Sequence, residues 1–324
     1  MAFTVKDLWS VLKRSFGEFI DNNVFKMSAA LAFYTVFSLP AMLMIMISVS
    51  DLFYGRSAIE GTLYQQIAGF VGTDAANQIQ QTIRSAALSK SGYFATIVGI
   101  ITLLIGATSV FSEIQDSINR IWNLKAKPRN GMGILKIVFN RLLSFSLVVG
   151  LGFILLVSLL INGAMEAFIN RLTHIFPELT VVMIYIFNLI LTFGITSLLF
   201  ALIFKVLPDA RVKWKHVKIG AFTTASLFML GKFLIGYYVG HSRLSSTYGT
   251  AGSVIVLLLW VYYSAMILYF GAVYTHAYVI HKGSRIYPNR YAVWVQQIEV
   301  ESEASLRQQP AAKTVIDATH NSPG

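Results

Sequence analysis

Two apolar runs lie back to back near the end of the chain, at 219–239 and 253–280. Each is long enough to cross a bilayer, which takes about 20 residues as a helix. Hydrocarbon offers the backbone no hydrogen-bond partners, so runs of this length must form helices that satisfy their own amides. Four more runs, at 27–49, 93–110, 142–161 and 179–207, bring the expected spans to six. Composition agrees: 55% of the 324 residues are hydrophobic and 13% are charged, about half the charged share of a soluble domain. The fold class expected is all-α: a polytopic membrane protein of six transmembrane helices. The chain has no cysteine, which excludes disulfides and thiolate metal sites.

Residues 1–25 place Leu8, Leu12, Phe16, Phe19 and Ile20 on one helical face, with Trp9 at its edge and Lys6, Lys13 and Arg14 elsewhere. This pattern predicts an interfacial amphipathic helix with its cations toward anionic headgroups. Packing against the protein's own cytoplasmic side is the other reading, and the two are compatible. The first apolar run is long and lacks a clear cleavage site, so it reads as a retained anchor. It opens with Ser28, Ala29, Ala30 and Ala32, small residues that admit a neighbouring helix, and Pro40 is expected to kink it. Between 51 and 92, Ile59, Leu63, Ile67 and Phe70, then Ile79, Ile83 and Ala87, recur at helical spacing. They predict two short amphipathic helices capping the outer face. Residues 282–324 lose the apolar period and read as a cytoplasmic tail, disordered in its last part.

Of the 26 lysines and arginines, twenty fall in the N-terminal segment, the second and fourth connections and the tail. Five fall in the remaining loops, and Lys232 is left inside the fifth span. By the positive-inside rule both termini are cytoplasmic. The same distribution accounts for the net charge of +11 without a nucleic-acid partner.

A charge within a span is costly and is usually functional or carefully paired, which singles out Lys232. It lies about 20 Å along its helix from Ile219, in the outer half of the bilayer. It reads either as a lysine snorkelling outward or as a counter-charge for an anionic headgroup. The polar elbow at 241–253 supplies Arg243, Ser246, Thr247, Tyr248 and Gly249 beside it. As a re-entrant segment the elbow would offer hydroxyls and amides to an anion; as a plain loop it needs no explanation. On the opposite side Glu113, Asp116, Asn119, Arg120 and Asp209 form a candidate cytoplasmic gate. Its plainer reading is a helix extension held by an Asp116–Arg120 pair. The histidines show no metal-ligand spacing, and neither phosphate-binding nor nucleophile motifs are present. No cofactor, metal or catalytic residue is expected, and the chain is not read as an enzyme.

Several stretches together resemble the YihY/virulence factor BrkB family. They are RSFGEFIDNNVFKMSAALAFYTVFSL (14–39), LLIGATSVFSEIQDSINRIW (103–122), KVLPD (205–209), GKFLIGYY (231–238) and STYGTAGSVIVLLLWVYYSAMILYFGA (246–272). The resemblance covers about 5–281, in order, and implies a six-span protein of the bacterial inner membrane. It carries over Asp116, Asn119, Arg120, Trp122, Pro208, Asp209, Lys232, Tyr248 and Gly249. The chain departs from the family pattern at Leu39-Pro40, where alanine-proline is more usual, and at Val273, where glutamate is common. A ribonuclease label attached to some members finds no metal cluster here to support it. Export of lipid-like or lipopolysaccharide-related molecules fits better.

The expected function is therefore an inner-membrane transporter or flippase-like protein for an anionic lipid or other envelope amphiphile. A non-catalytic membrane scaffold or envelope-integrity protein is the alternative. The expected partners are anionic headgroups, with self-association permitted by the small residues.

Overall fold

The computed structural model describes residues 5–38, 109–127, 177–241, 250–289 and 292–296, with isolated positions at 64, 76, 77, 80 and 81. Helix α1 is Val5–Asp21 and α2 is Val24–Ser38. Helix α3 covers 109–121 and is followed by strand β1, Leu124–Ala126. Helix α4 is Pro177–Val206, strand β2 is Ala210–Arg211, and α5 is Trp214–His241. Helix α6 is Thr250–His281, followed by β3, Tyr287–Pro288, and β4, Ala292–Trp294. The chain divides into two compact units, Met1–Val293 and Trp294–Gly324, and the described helices lie in the first.

Among the described residues, three helices are long and apolar enough to span a membrane: Ile186–Val206, Trp214–Ile235 and Val254–His281. They correspond to the fourth, fifth and sixth expected spans. The first expected span is described only as far as Ser38, within α2. The second and third spans, Pro40 and the 51–92 helices lie outside the described residues, apart from the few positions named above. One boundary is corrected: the elbow does not run to Ser253, because α6 already begins at Thr250. The first turn of a helix has no intrahelical use for its amides, so a Thr-Ala-Gly-Ser opening costs little there.

Helix ends are set by residues that tolerate left-handed backbone. Asn23 (φ 55°) separates α1 from α2, and Asn123 (φ 56°) follows α3. Asparagine reaches this region more easily than most side chains. Helix α6 closes on Gly283 (φ 66°). There the Ser284 amide donates to the Val279 carbonyl and the Gly283 amide to that of Ile280, a glycine-capped ending that satisfies two last-turn carbonyls.

Helix α5 packs on α4 and on α6, and α1 packs along α6. The core between them is anchored by Trp122, Phe204, Ile118, Tyr269 and Val273. The departures from helix gather at one end of the bundle. Strand β2 pairs antiparallel with β3, Ala210 opposite Pro288 and Arg211 opposite Tyr287, and β1 pairs with β4. The exits of α3, α4 and α6 and the entry of α5 therefore share one end. Exposed Lys125, Arg211, Lys213, Lys215, Lys218 and Arg285 lie there, the residues charge counting had assigned to a common side.

Candidate functional site

Lys232 lies on α5 at the edge of the face that meets α6 and is half-buried. Phe228, Gly231, Ile235, Trp260, Tyr263 and Ser264 line a narrow crevice beside it that is closed even to a water molecule. Gly231 lets the Tyr263 ring close against α5: a Cβ there would stand 2.4 Å from Tyr263 Cε1 and 2.6 Å from its hydroxyl oxygen. Phe228 and Trp260 meet edge to face at 6.1 Å and close one side. Leu230, Phe233 and Leu234, on the other face of α5, are exposed as lipid-facing side chains are. As it stands it has no room for an organic ligand, which takes about 300 Å³ or more, so any ligand requires α5 and α6 to part here. Its chemistry is an ammonium with a serine and a tyrosine hydroxyl among aromatic rings. Arg243, Ser246, Thr247, Tyr248 and Gly249 lie outside the described residues.

At the other end the structure brings two of the five candidate gate residues together. Asn119 on α3 donates through Nδ2 to Asp209 Oδ2 at 3.1 Å. Its Oδ1 accepts from the Asp209 amide at 2.8 Å. The Asp209 carbonyl in turn accepts from the Asn289 amide at 2.9 Å. One asparagine thus ties α3 to the turn after α4, and that turn holds the strand following α6. Trp122, 2% exposed, adds a bond from Nε1 to the Ala272 carbonyl at 3.0 Å. Lys205 is drawn inward as well, donating to the Val212 carbonyl and lying 5.6 Å from the Trp214 ring centre. Glu113 stands apart from Asn119 and Asp209 and accepts from Ser117 Oγ at 3.3 Å. Burial raises its carboxyl above the ordinary glutamate value, against the lowering bond from Ser117, and Asp116 adds to the rise. Asp116 and Arg120 are exposed on the same helix.

Two features escaped the sequence reading. The pentapeptides GAFTT (220–224) and GAVYT (271–275) share a GAxxT pattern, one on α5 and one on α6. Thr224 donates back to the Gly220 carbonyl at 2.6 Å, and Thr275 to that of Gly271 at 2.7 Å. Each threonine then fills the gap left by the other helix's glycine. A Cβ at Gly220 would stand 1.8 Å from Thr275 Oγ1, and one at Gly271 would stand 1.9 Å from Thr224 Oγ1. The repeat was visible in the sequence; the pairing was not.

The second is the dock of α1. Glu18 accepts from Arg14 Nε at 2.7 Å, and its other oxygen lies 2.8 Å from His276 Nδ1 on α6. Burial pushes the Glu18 carboxyl up, but the bonds from His276 and Arg14 outweigh it and hold the group below the ordinary value. Asp7 lies 3.2 Å from His281 Nε2, one end of α1 against the end of α6. Among the described residues no group of three or more His, Asp or Glu side chains could hold a metal ion.

The family model for virulence factor BrkB matches residues 15–291. A UPF0761 membrane protein of Pseudomonas paraeruginosa is 27% identical over 79% of this chain and 59% of its own length. One from Pseudoalteromonas atlantica is 26% identical over 76% of the chain and 78% of its length. One from Haemophilus influenzae is 24% identical over 78% and 89%. The chain thus spans about three fifths of the length of the Pseudomonas relatives it matches. No solved structure matches it. With the family model covering the helices, the Asn119–Asp209 clasp and the Lys232 crevice together, the chain belongs to the virulence factor BrkB family.

Proposed function

We propose that this membrane protein is a transporter or flippase-like protein for an anionic lipid or other envelope amphiphile, resident in the bacterial inner membrane with both termini cytoplasmic. The observation that carries the reading is the crevice at Lys232: a cation, two hydroxyls and aromatic rings beside an apolar face of α5. Once α5 and α6 part there, such a place would let a charged headgroup shed water while its acyl chains remain in lipid. Nothing in this role requires covalent chemistry, and the protein acts without catalysis.

The test is transbilayer movement of labelled anionic and zwitterionic lipids in vesicles containing the purified protein, with Lys232→Met alongside. Faster movement of the anionic lipid, reduced about tenfold or more in the variant, is the expected result. Equal rates in protein-free vesicles and in vesicles holding folded protein sink the reading. The close threonine-in-glycine packing of α5 on α6 favours one alternative, a rigid scaffold for envelope machinery, and that null result selects it.

A further inference from the structure

Where α3 meets α6, the core holds polar groups that the packing leaves incomplete. Tyr269 on α6 is fully buried, and its hydroxyl makes no hydrogen bond of good geometry. That hydroxyl is turned toward Ser117 of α3 and lies within electrostatic reach of Glu113 and Asp116. Ser117 is itself 4% exposed and gives its proton to Glu113 Oε1 at 3.3 Å. On α2, Ser28 is a second fully buried hydroxyl without a partner, on the face that carries Met27 and Leu31 into the same core. A buried hydroxyl that makes no bond is expensive, so the Tyr269 hydroxyl beside the Ser117–Glu113 bond calls for an explanation.

We propose that Glu113, Ser117 and Tyr269 form a proton-binding site in which uptake of a proton by the Glu113 carboxyl changes the packing of α3 on α6. The half-buried position lets the carboxyl exchange protons with solvent while one oxygen faces the protein. Ionised, it accepts from Ser117 and leaves Tyr269 unsatisfied. Protonated, it holds the Ser117 hydroxyl less strongly, and Ser117 is freed to turn and donate to the Tyr269 oxygen. The groups acting on it are Asp116 from its own helix and Tyr269 from α6; the same core receives Ser28 from α2 and Phe200 and Phe204 from α4. The raised Glu113 affinity for protons agrees with this arrangement. The contact is well placed to transmit a change, because the Trp122–Ala272 bond and the Asn119–Asp209 clasp lie further along α3. As the energy source for transport, this site rests on the function proposed above; as a proton site it does not.

The experiment is an infrared pH titration of full-length protein in lipid, recording carboxyl protonation in the wild type, Glu113→Gln and Tyr269→Phe. The expected difference between wild type and Glu113→Gln is a single carboxyl titrating above the ordinary glutamate value, with a midpoint displaced in Tyr269→Phe. A difference titrating at or below the ordinary value overturns the proposal, as does a midpoint indifferent to Tyr269→Phe in folded protein. A parallel arm imposes a pH gradient on the lipid-movement assay. Gradient dependence lost in Glu113→Gln supports the coupling. Lipid movement that ignores the gradient rejects the site as an energy source. Absence of any lipid movement rejects the transport reading, while the titration still decides the proton site.

Discussion

Asn119 illustrates how much one side chain carries in this protein. Both ends of its amide are used against Asp209, one accepting from a backbone amide and one donating to a carboxylate. Asn119→Ala leaves both partners short in a half-buried place, and such losses cost about 1–3 kcal/mol each at most. We expect a clearly lowered midpoint in thermal unfolding of the purified protein. Asn119→Asp should be worse, because it sets a second carboxylate against Asp209. Trp122→Phe removes the indole N–H donor and leaves a cavity where its second ring stood, and a loss of about 1–3 kcal/mol is expected. None of these partnerships was legible in the sequence. Asn119 and Asp209 were both singled out, but they stand ninety positions apart and no periodicity connects them. Glu113 was grouped with them as a gate residue, and the structure sets it instead against Ser117.

The elements were easier to read than their partners. Helices α4, α5 and α6 announce themselves because long apolar runs admit no other backbone in lipid. What periodicity could not do was divide a face between two neighbours. In α1, Val11 is buried, and Leu12 and Phe19 are half-buried, while Trp9 (71% exposed) and Ile20 (66%) point outward beside Lys13; Phe16 lies between the two sets, its ring 5.3 Å from that of Phe270 on α6. The single apolar face expected from sequence is thus two adjoining faces, one for the bundle and one suited to the acyl boundary. The dock of α1 should depend on pH. Glu18 is held below the ordinary carboxylate value, so its contribution is complete above that value and fades as the pH falls through the lowered one. In a chain without native cysteine, a single label at Lys13→Cys should report looser attachment in acid, and Glu18→Gln should be loose already at neutral pH. For the crossing of α5 and α6, Gly271→Ala should destabilise by about 1–3 kcal/mol through overpacking. Adding Thr224→Ala should restore part of it, since the hydroxyl at 1.9 Å is gone while the Cβ at 2.9 Å remains.

Across the whole molecule, the short strand pairings draw the exits of α3, α4 and α6 to the entry of α5. Charge counting had put the same residues on one side, so cysteines at Lys215 and Arg285 should be labelled from the same face of the membrane. We expect that face to be the cytoplasmic one, and opposite labelling of the two would break the topology. The GAxxT crossing lies near this gathered end, and it constrains how the bundle can move. Two helices pinned where each threonine enters the other's glycine cannot slide past one another; they can only splay, like scissor blades about a rivet. Lys232 lies twelve residues beyond Gly220, about 18 Å along the axis. A splay of about 5° would therefore part the helices by roughly 1.6 Å at the crevice and hardly at all at the rivet. The contacts that must yield there are the far ends of the Tyr263 and Ile267 side chains rather than backbone. A hinge of this kind would let the distant mouth open toward lipid while the basic end of the bundle stayed shut.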